Sequence, residues 1–196
     1  VVITITGTND LPVIAGDDHG AVTEDASNPT LTDSGTLTLT DLDAGEAVFK
    51  AGTGTPTGSV LGSLTITTDG KWSYEVANDK VQYLAAGETK VETFTVHSAD
   101  GTSHEVVITI TGTNDLPVIA GDDHGAVTED ASNPTLTDSG TLTLTDLDAG
   151  EAVFKAGTGT PTGSVLGSLT ITTDGKWSYE VANDKVQYLK EGETKV

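Results

Sequence analysis

Asp41-Leu42-Asp43-Ala44-Gly45-Glu46 sets two carboxylates on either side of one leucine, and the same hexapeptide returns at Asp146-Leu147-Asp148-Ala149-Gly150-Glu151. Alternate residues of an extended chain point the same way, so each Asp pair presents its carboxylates to one side. Oxygen ligands of this kind suit a hard dication, which takes about six to eight of them at about 2.3–2.6 Å. The hexapeptide is not an EF-hand loop. Its glycine falls one place early, no third Asp or Asn precedes it, and no helical periodicity flanks it. Other chemistry has less support. His19 and His124 each follow an Asp-Asp pair, while His97 and His104 flank a turn, yet no Cys and no HxxxH spacing accompanies them, so they read as surface histidines. No Gly-x-Ser-x-Gly elbow singles out a nucleophile, and no enzyme is expected. Gly52–Gly58 (GTGTPTG) lacks the Lys and the following helix of a phosphate loop. Asn28-Pro29-Thr30 has Pro where a glycosylation acceptor excludes it.

The carboxylates come in copies. The run Val1–Val91 matches Val106–Val196 at a period of 105 residues, differing only where Ala85 and Ala86 face Lys190 and Glu191. That period is the size of one autonomous domain and too long for a solenoid repeat. The phase divides the chain into residues 1–9, the last strand of a preceding repeat, 10–114, a complete repeat, and 115–196, a second repeat truncated before its last two strands. It reads as a window on a longer array. Tandem copies this alike add length or avidity and seldom multiply an active site.

Charge narrows the class further. The chain carries 30 acidic residues against 9 Lys, with no Arg and no Cys, for a net charge of −21. Nucleic acid and anionic lipid are therefore excluded as natural partners, and no apolar run approaches a membrane span. A disulfide-free domain under such self-repulsion needs cations to neutralise it, and bound metal is the available cross-link.

Alternation with period 2 runs through most of the repeat and predicts an all-β fold. Leu37 and Leu39 alternate with Thr36, Thr38 and Thr40; Trp72, Tyr74 and Val76 alternate with Lys71, Ser73 and Glu75 and belong to the core. Asp69-Gly70 and Asp100-Gly101 mark hairpins. The predicted strands are 20–24, 35–40, 47–51, 63–67, 71–76, 90–98 and 104–112, with a helical turn available to 78–84. About seven short strands in 100 residues specify an immunoglobulin-like or cadherin-like β-sandwich, tandem and head to tail. In that topology Asp41, Asp43, Glu46, Asp69 and Asp100 gather at the leading pole, where the chain enters. Glu24, Asp25, Asp33, Asn78, Asp79 and Glu88 gather at the trailing pole. Stacked repeats bring Glu24, Asp79 and Asp115 toward Asp146, Asp148 and Asp174, and Glu129 repeats Glu24 in the second copy. Such a junction repels itself unless a hard dication reverses the sign, and calcium is the ion inferred.

Together, Val22-Thr23-Glu24-Asp25, the run 35–46, Gly62–Ile66 with Asp69–Tyr74, Gly87-Glu88-Thr89 and Ile110–Ile119 resemble a VCBS repeat. Such repeats occur in very large bacterial surface adhesins of the RTX, type I secreted kind. The resemblance implies an extracellular, cell-surface location and neighbouring repeats as partners. Asn114-Asp115-Leu116-Pro117 also resembles the cadherin linker. By that likeness Asn114 and Asp115 would be linker ligands of calcium, Glu24 the trailing-pole ligand, and Asp146 and Asp148 the leading-pole ligands of the next domain. Asp25, Asp79 and Asp174 complete the candidate set with Asp41, Asp43, Asp69 and Glu129. The function expected is a calcium-stiffened spacer. The alternative is a repeat that itself binds a glycan or host surface, or associates laterally in a filament or biofilm matrix, with Tyr83 and Tyr188 as its unassigned aromatics.

Overall fold

The computed structural model describes residues 1–25 and 27–196, in two compact units, Val1–Asp115 and Leu116–Val196. The first unit is a β-sandwich. One sheet runs β1 (Val13–Gly16), β3 (Thr30–Thr40), β7 (Lys71–Ala77), β6 (Ser63–Ile66), β4 (Gly52–Thr53), all antiparallel. The other runs β2 (His19–Thr23), β9 (Ser103–Thr111), β8 (Thr89–His97), β5 (Thr55–Pro56), with β2 parallel to β9 and the rest antiparallel.

Inward parity decides the core. Trp72, Tyr74 and Val76 from β7 meet Phe94 and Val96 from β8 and Val106, Ile108 and Ile110 from β9, all buried. Each such side chain contributes about 1.5–3 kcal/mol of transfer free energy when fully buried. The rings of Tyr74 and Phe94 cross the sandwich with centroids 5.9 Å apart and planes tilted by 58°, an arrangement aromatic quadrupoles favour. At the Asp69-Gly70 turn, Gly70 has φ +83° and the oxygen of Leu37 lies 2.2 Å from where a Cβ would sit, so only glycine fits.

Three local readings change. The strand expected at 47–51 reduces to a single bridge, Phe49 with Ser98, and the pairing moves to the glycine-rich stretch read as a loop, where β4 joins one sheet and β5 the other. Edge pairing is decided by the neighbours β6 and β8, which local alternation does not encode. The strand expected at 35–40 begins at Thr30, so Asp33 lies inside β3 opposite Tyr74, where Oδ2 accepts the Ala21 N–H at 2.7 Å, and does not sit at the trailing pole. Val13–Gly16 forms β1, a strand the sequence reading lacked.

One inward position of β8 is charged. Glu92 shares the face of Phe94 and Val96 and is buried between the sheets. Its carboxylate accepts the Leu61 N–H at 2.5 Å, the Gly62 N–H at 3.2 Å and the Tyr74 hydroxyl at 2.9 Å. Burial, then the hydrogen bond to Glu92, pushes the Tyr74 hydroxyl far above its ordinary pKa. Gly62 lies so close to Tyr74 that a Cβ would stand 2.2 Å from its oxygen. The carboxylate thus fastens the segment that crosses from β5 in one sheet to β6 in the other.

The second unit repeats the first sheet with the same register: β10 (Val118–Gly121), β11 (Thr135–Thr145), β14 (Lys176–Ala182), β13 (Ser168–Ile171), β12 (Gly157–Thr158). Residues 124–128, which match β2, are not strand, and no second sheet forms among the described residues of this unit. Its buried apolar cluster is correspondingly small, built on Leu136, Val181 and Val186.

Glu92→Ala strands the buried Tyr74 hydroxyl and two part-buried N–H donors and is expected to cost the first unit about 3 kcal/mol or more. Urea unfolding followed through Trp72 in a Trp177→Phe background measures it, and a loss below about 1 kcal/mol would show that water replaces the carboxylate.

Candidate metal centres at the poles of the repeat

Glu24 follows Val22 on the inward parity of β2 and is wholly buried at the trailing pole. Its Oε1 accepts from Gln82 Nε2 at 2.8 Å, and its Oε2 accepts from the Thr113 N–H at 2.6 Å and the Thr113 hydroxyl at 2.8 Å. The Glu24 N–H in turn donates to the Thr111 carbonyl at 2.9 Å. Beside it, Asn78 opens a single 3-10 turn, Asn78–Lys80, and its amide nitrogen donates to the Asp25 carbonyl. Gln82 Nε2 reaches the same carbonyl at 3.2 Å. Glu24, Asp25 and Asn78 are therefore brought together, while Asp79 is exposed next to them. Asn78 Oδ1 is buried with no hydrogen-bond donor.

At the leading pole Asp41 Oδ1 accepts the Asp43 N–H at 2.8 Å, and Asp43 Oδ2 accepts the Asp10 N–H at 2.7 Å. Asp41 Oδ2 is buried without a donor. In the second unit Asp146 Oδ1 accepts the Asp148 N–H at 3.0 Å, and Asp148 is buried. Gln187 Nε2 donates to Glu129 Oε2 at 2.7 Å, as Gln82 does to Glu24. In the linker, Asn114 Nδ2 donates to the Asp115 carbonyl at 2.6 Å.

Other candidates are engaged locally. Asp25 Oδ1 accepts the Ser27 and Asn28 N–H groups at 2.7 and 2.6 Å, closing a turn on itself, and Asp130 does the same with Ser132 and Asn133. Asp69 pairs with Lys71 at 2.7 Å and Asp174 with Lys176 at 2.7 Å, all four side chains exposed. To ligate a metal, Asp69 and Asp174 would exchange a lysine for it. Two participants escaped the sequence reading, Gln82 and Thr113. Gln82 lies four residues past Asn78, and only the fold shows that it meets Glu24.

Among the described residues no three His, Asp or Glu side chains are gathered closely enough to hold a metal ion by themselves. The oxygens present nevertheless fit a hard cation in kind. Asn78 Oδ1 at one pole and Asp41 Oδ2 at the other are buried acceptors lacking a donor, which a cation would satisfy. His19 and His104 instead bracket one carboxylate, Asp18, at 2.6 and 3.1 Å. His19, with His104 as a smaller contributor, holds the Asp18 carboxyl below its ordinary range.

The turn carboxylates also set the acid limit. The Lys176 ammonium, then the Thr172 hydroxyl, lowers Asp174 from 3.8 to about 2. Lys71 and Thr67 lower Asp69 likewise, and backbone N–H groups lower Asp25 and Asp130. A folded-state pKa below the unfolded one contributes stability above the unfolded value and loses it as pH falls through the folded value. Thermal melts should therefore decline from pH 3.8 down to about 2. Combining Asp69→Asn with Asp174→Asn should flatten that limb, and a limb unchanged in the double variant would assign it to other groups.

Several solved structures align with the chain at low identity. A protocadherin gammaB4 extracellular domain aligns at 13% identity and TM-score 0.47, over 91% of this chain and 28% of its own. A 1.5-MDa bacterial ice-binding adhesin aligns at 14% and 0.34, over 92% and 56%. A Ca2+-stabilized adhesin of an Antarctic bacterium aligns at 18% and 0.27, over 92% and 42%. The chain thus spans little more than half, at most, of these three structures. No curated protein matches it. Residues 9–112, just over half of the chain, match the bacterial cadherin-like domain. The chain belongs to that family.

Proposed function

We propose that the chain is a spacer segment of a bacterial cell-surface adhesin, in which calcium at each junction stiffens a rod of sandwiches that carries a distal binding region outward. The observation that carries this reading is the pairing of near-identical copies with a buried, donorless oxygen at each pole of the repeat, Asn78 Oδ1 and Asp41 Oδ2. Membership of an adhesion-related, non-enzymatic domain family supports it. Residues 10–114 are then one repeat, 1–9 the end of the repeat before it, and 115–196 the start of the next.

Glu24, Asn78, Asn114 and Asp115 would offer oxygens from the trailing side, and Asp146 and Asp148 from the leading side of the next repeat. Asp25, Asp79 and Asp174 lie further out, and Asp41, Asp43, Asp69 and Glu129 would serve the flanking junctions. Bound calcium supplies positive charge where the chain's net −21 otherwise repels. Each repeat adds about 36 Å, the span of the eleven residues of β3 at about 3.3 Å each. The VCBS-like motifs support a parent protein among RTX-type, type I secreted adhesins, whose chains would cross the secretion channel unfolded at low calcium and fold outside. Exposed Tyr83 and Tyr188 support the second reading, direct glycan, host-surface or lateral contact.

Small-angle scattering and thermal melts across a calcium titration test the proposal. Calcium is expected to lengthen the maximum dimension and to stabilise by about 2.7 kcal/mol per site at a hundred times the dissociation constant. Asp146→Ala and Asp148→Ala should abolish both responses. An unchanged shape and melt would sink the calcium joint and favour direct binding, which a glycan array then examines.

A further inference from the structure

Glu24 is wholly buried, and among the described residues no Lys or His forms an ion pair with it. Its charge is answered only by dipoles, the Thr113 N–H and hydroxyl on Oε2 and the Gln82 amide on Oε1. Gln82 Nε2 also reaches the Asp25 carbonyl at 3.2 Å. Asn78, 6% exposed, donates to that same carbonyl through Nδ2, while its Oδ1 has no donor. The second unit shows where that oxygen is aimed. There Gln187 Nε2 meets Glu129 Oε2 at 2.7 Å, the Asp130 carbonyl at 2.9 Å and Asn183 Oδ1 at 3.0 Å.

One amide nitrogen thus stands at the focus of a carboxylate oxygen, a backbone carbonyl and a side-chain carbonyl. It carries two protons and cannot serve all three acceptors. In the first unit it serves the first two, and Asn78 Oδ1 is the oxygen left over. A cation has no such limit, because it attracts every oxygen around it. Carboxylates, backbone carbonyls and Asn carbonyls are also the ligands that a hard dication takes.

We propose that the Gln82 amide nitrogen, like that of Gln187 in the second unit, is a built-in place-holder for calcium. It answers part of the Glu24 charge while no metal is bound, and calcium displaces it. The inference rests on the calcium reading of the trailing pole and adds the group with which the ion competes. Gln82 is then a positioning residue and not a ligand. Binding becomes an exchange, in which Glu24 Oε1, the Asp25 carbonyl and Asn78 Oδ1 give up two amide protons for one ion. Calcium affinity is set in part by the hydrogen bonds surrendered.

Gln82→Met with Gln187→Met keeps the length of both side chains and removes their donors. In EDTA the double variant should melt below the parent chain. A calcium titration read at the Thr113 amide resonance, whose N–H touches Glu24, should give a Kd about tenfold tighter, the factor that a hydrogen bond to a charged acceptor is worth. Gln82→Lys with Gln187→Lys sets a permanent ammonium at the same place, so it should melt higher in EDTA and bind calcium at least about tenfold more weakly. In the parent chain calcium should move the side-chain amide signals of Gln82 and Gln187, the only two glutamines present.

A parent chain that responds to calcium while the Met variant binds no tighter overturns the place-holder and leaves the calcium joint standing. Glutamine signals unmoved at saturating calcium overturn it as well, and need no substitution. No response to calcium in the parent or in either variant overturns both readings, whereas a response gained only in the Met variant supports the place-holder against the joint.

Discussion

A buried carboxylate has to be matched, and the match made by Glu24 organises the trailing pole. Unpaired charge in a low-dielectric interior costs several kcal/mol. Glu24 escapes that cost by drawing in Gln82 from beyond the 3-10 turn and Thr113 from the departing chain. Segments distant in sequence converge on one side chain, so the point where the chain leaves the sandwich is fixed by hydrogen bonds to a buried carboxylate as well as by apolar packing. Glu92 applies the same rule deeper in the core, where Tyr74 and two backbone N–H groups hold the crossing between sheets.

These anchors were half legible beforehand. Period-2 alternation locates β6, β7, β8 and β9 because their apolar residues face one core, and the Asp-Gly steps locate the turns between them. The same parity marks Glu24 and Glu92 as inward, a polar residue among apolar neighbours, which is the available signal for both. What parity cannot supply is the partner: Gln82 and Thr113 lie 58 and 89 residues from Glu24. Nor does it supply edge pairing. Val13–Gly16 has no alternation, and Gly52–Pro56 reads as a flexible loop, yet each strand forms because an already ordered neighbour offers free backbone groups.

The acidic clusters divide by what answers their charge. Asp69 and Asp174 carry their own lysines, and Asp25 and Asp130 their own turn N–H groups. In the first unit Asp41 and Asn78 each keep a buried oxygen with no donor, whereas in the second the matching Asn183 Oδ1 accepts from Gln187 Nε2 at 3.0 Å. That difference, invisible in a count of carboxylates, separates groups that finish a turn from groups whose oxygens keep no donor. It also explains why a chain with no Cys and so large a negative charge can still be compact: much of the charge lies at the poles, away from the apolar seam between the sheets.

The parallel pairing of β2 with β9 bears on how the sandwich would resist a pull on its ends. β2 lies near the incoming end of the chain and β9 leads to the outgoing end, and the two lie side by side in the same direction over five residue pairs. Tension between the termini pulls these strands in opposite senses along their length. The hydrogen bonds between them are then stressed together in shear, and none can be peeled from one end ahead of the rest. Rupture must break the set at once, so β2 and β9 would act as a mechanical clamp.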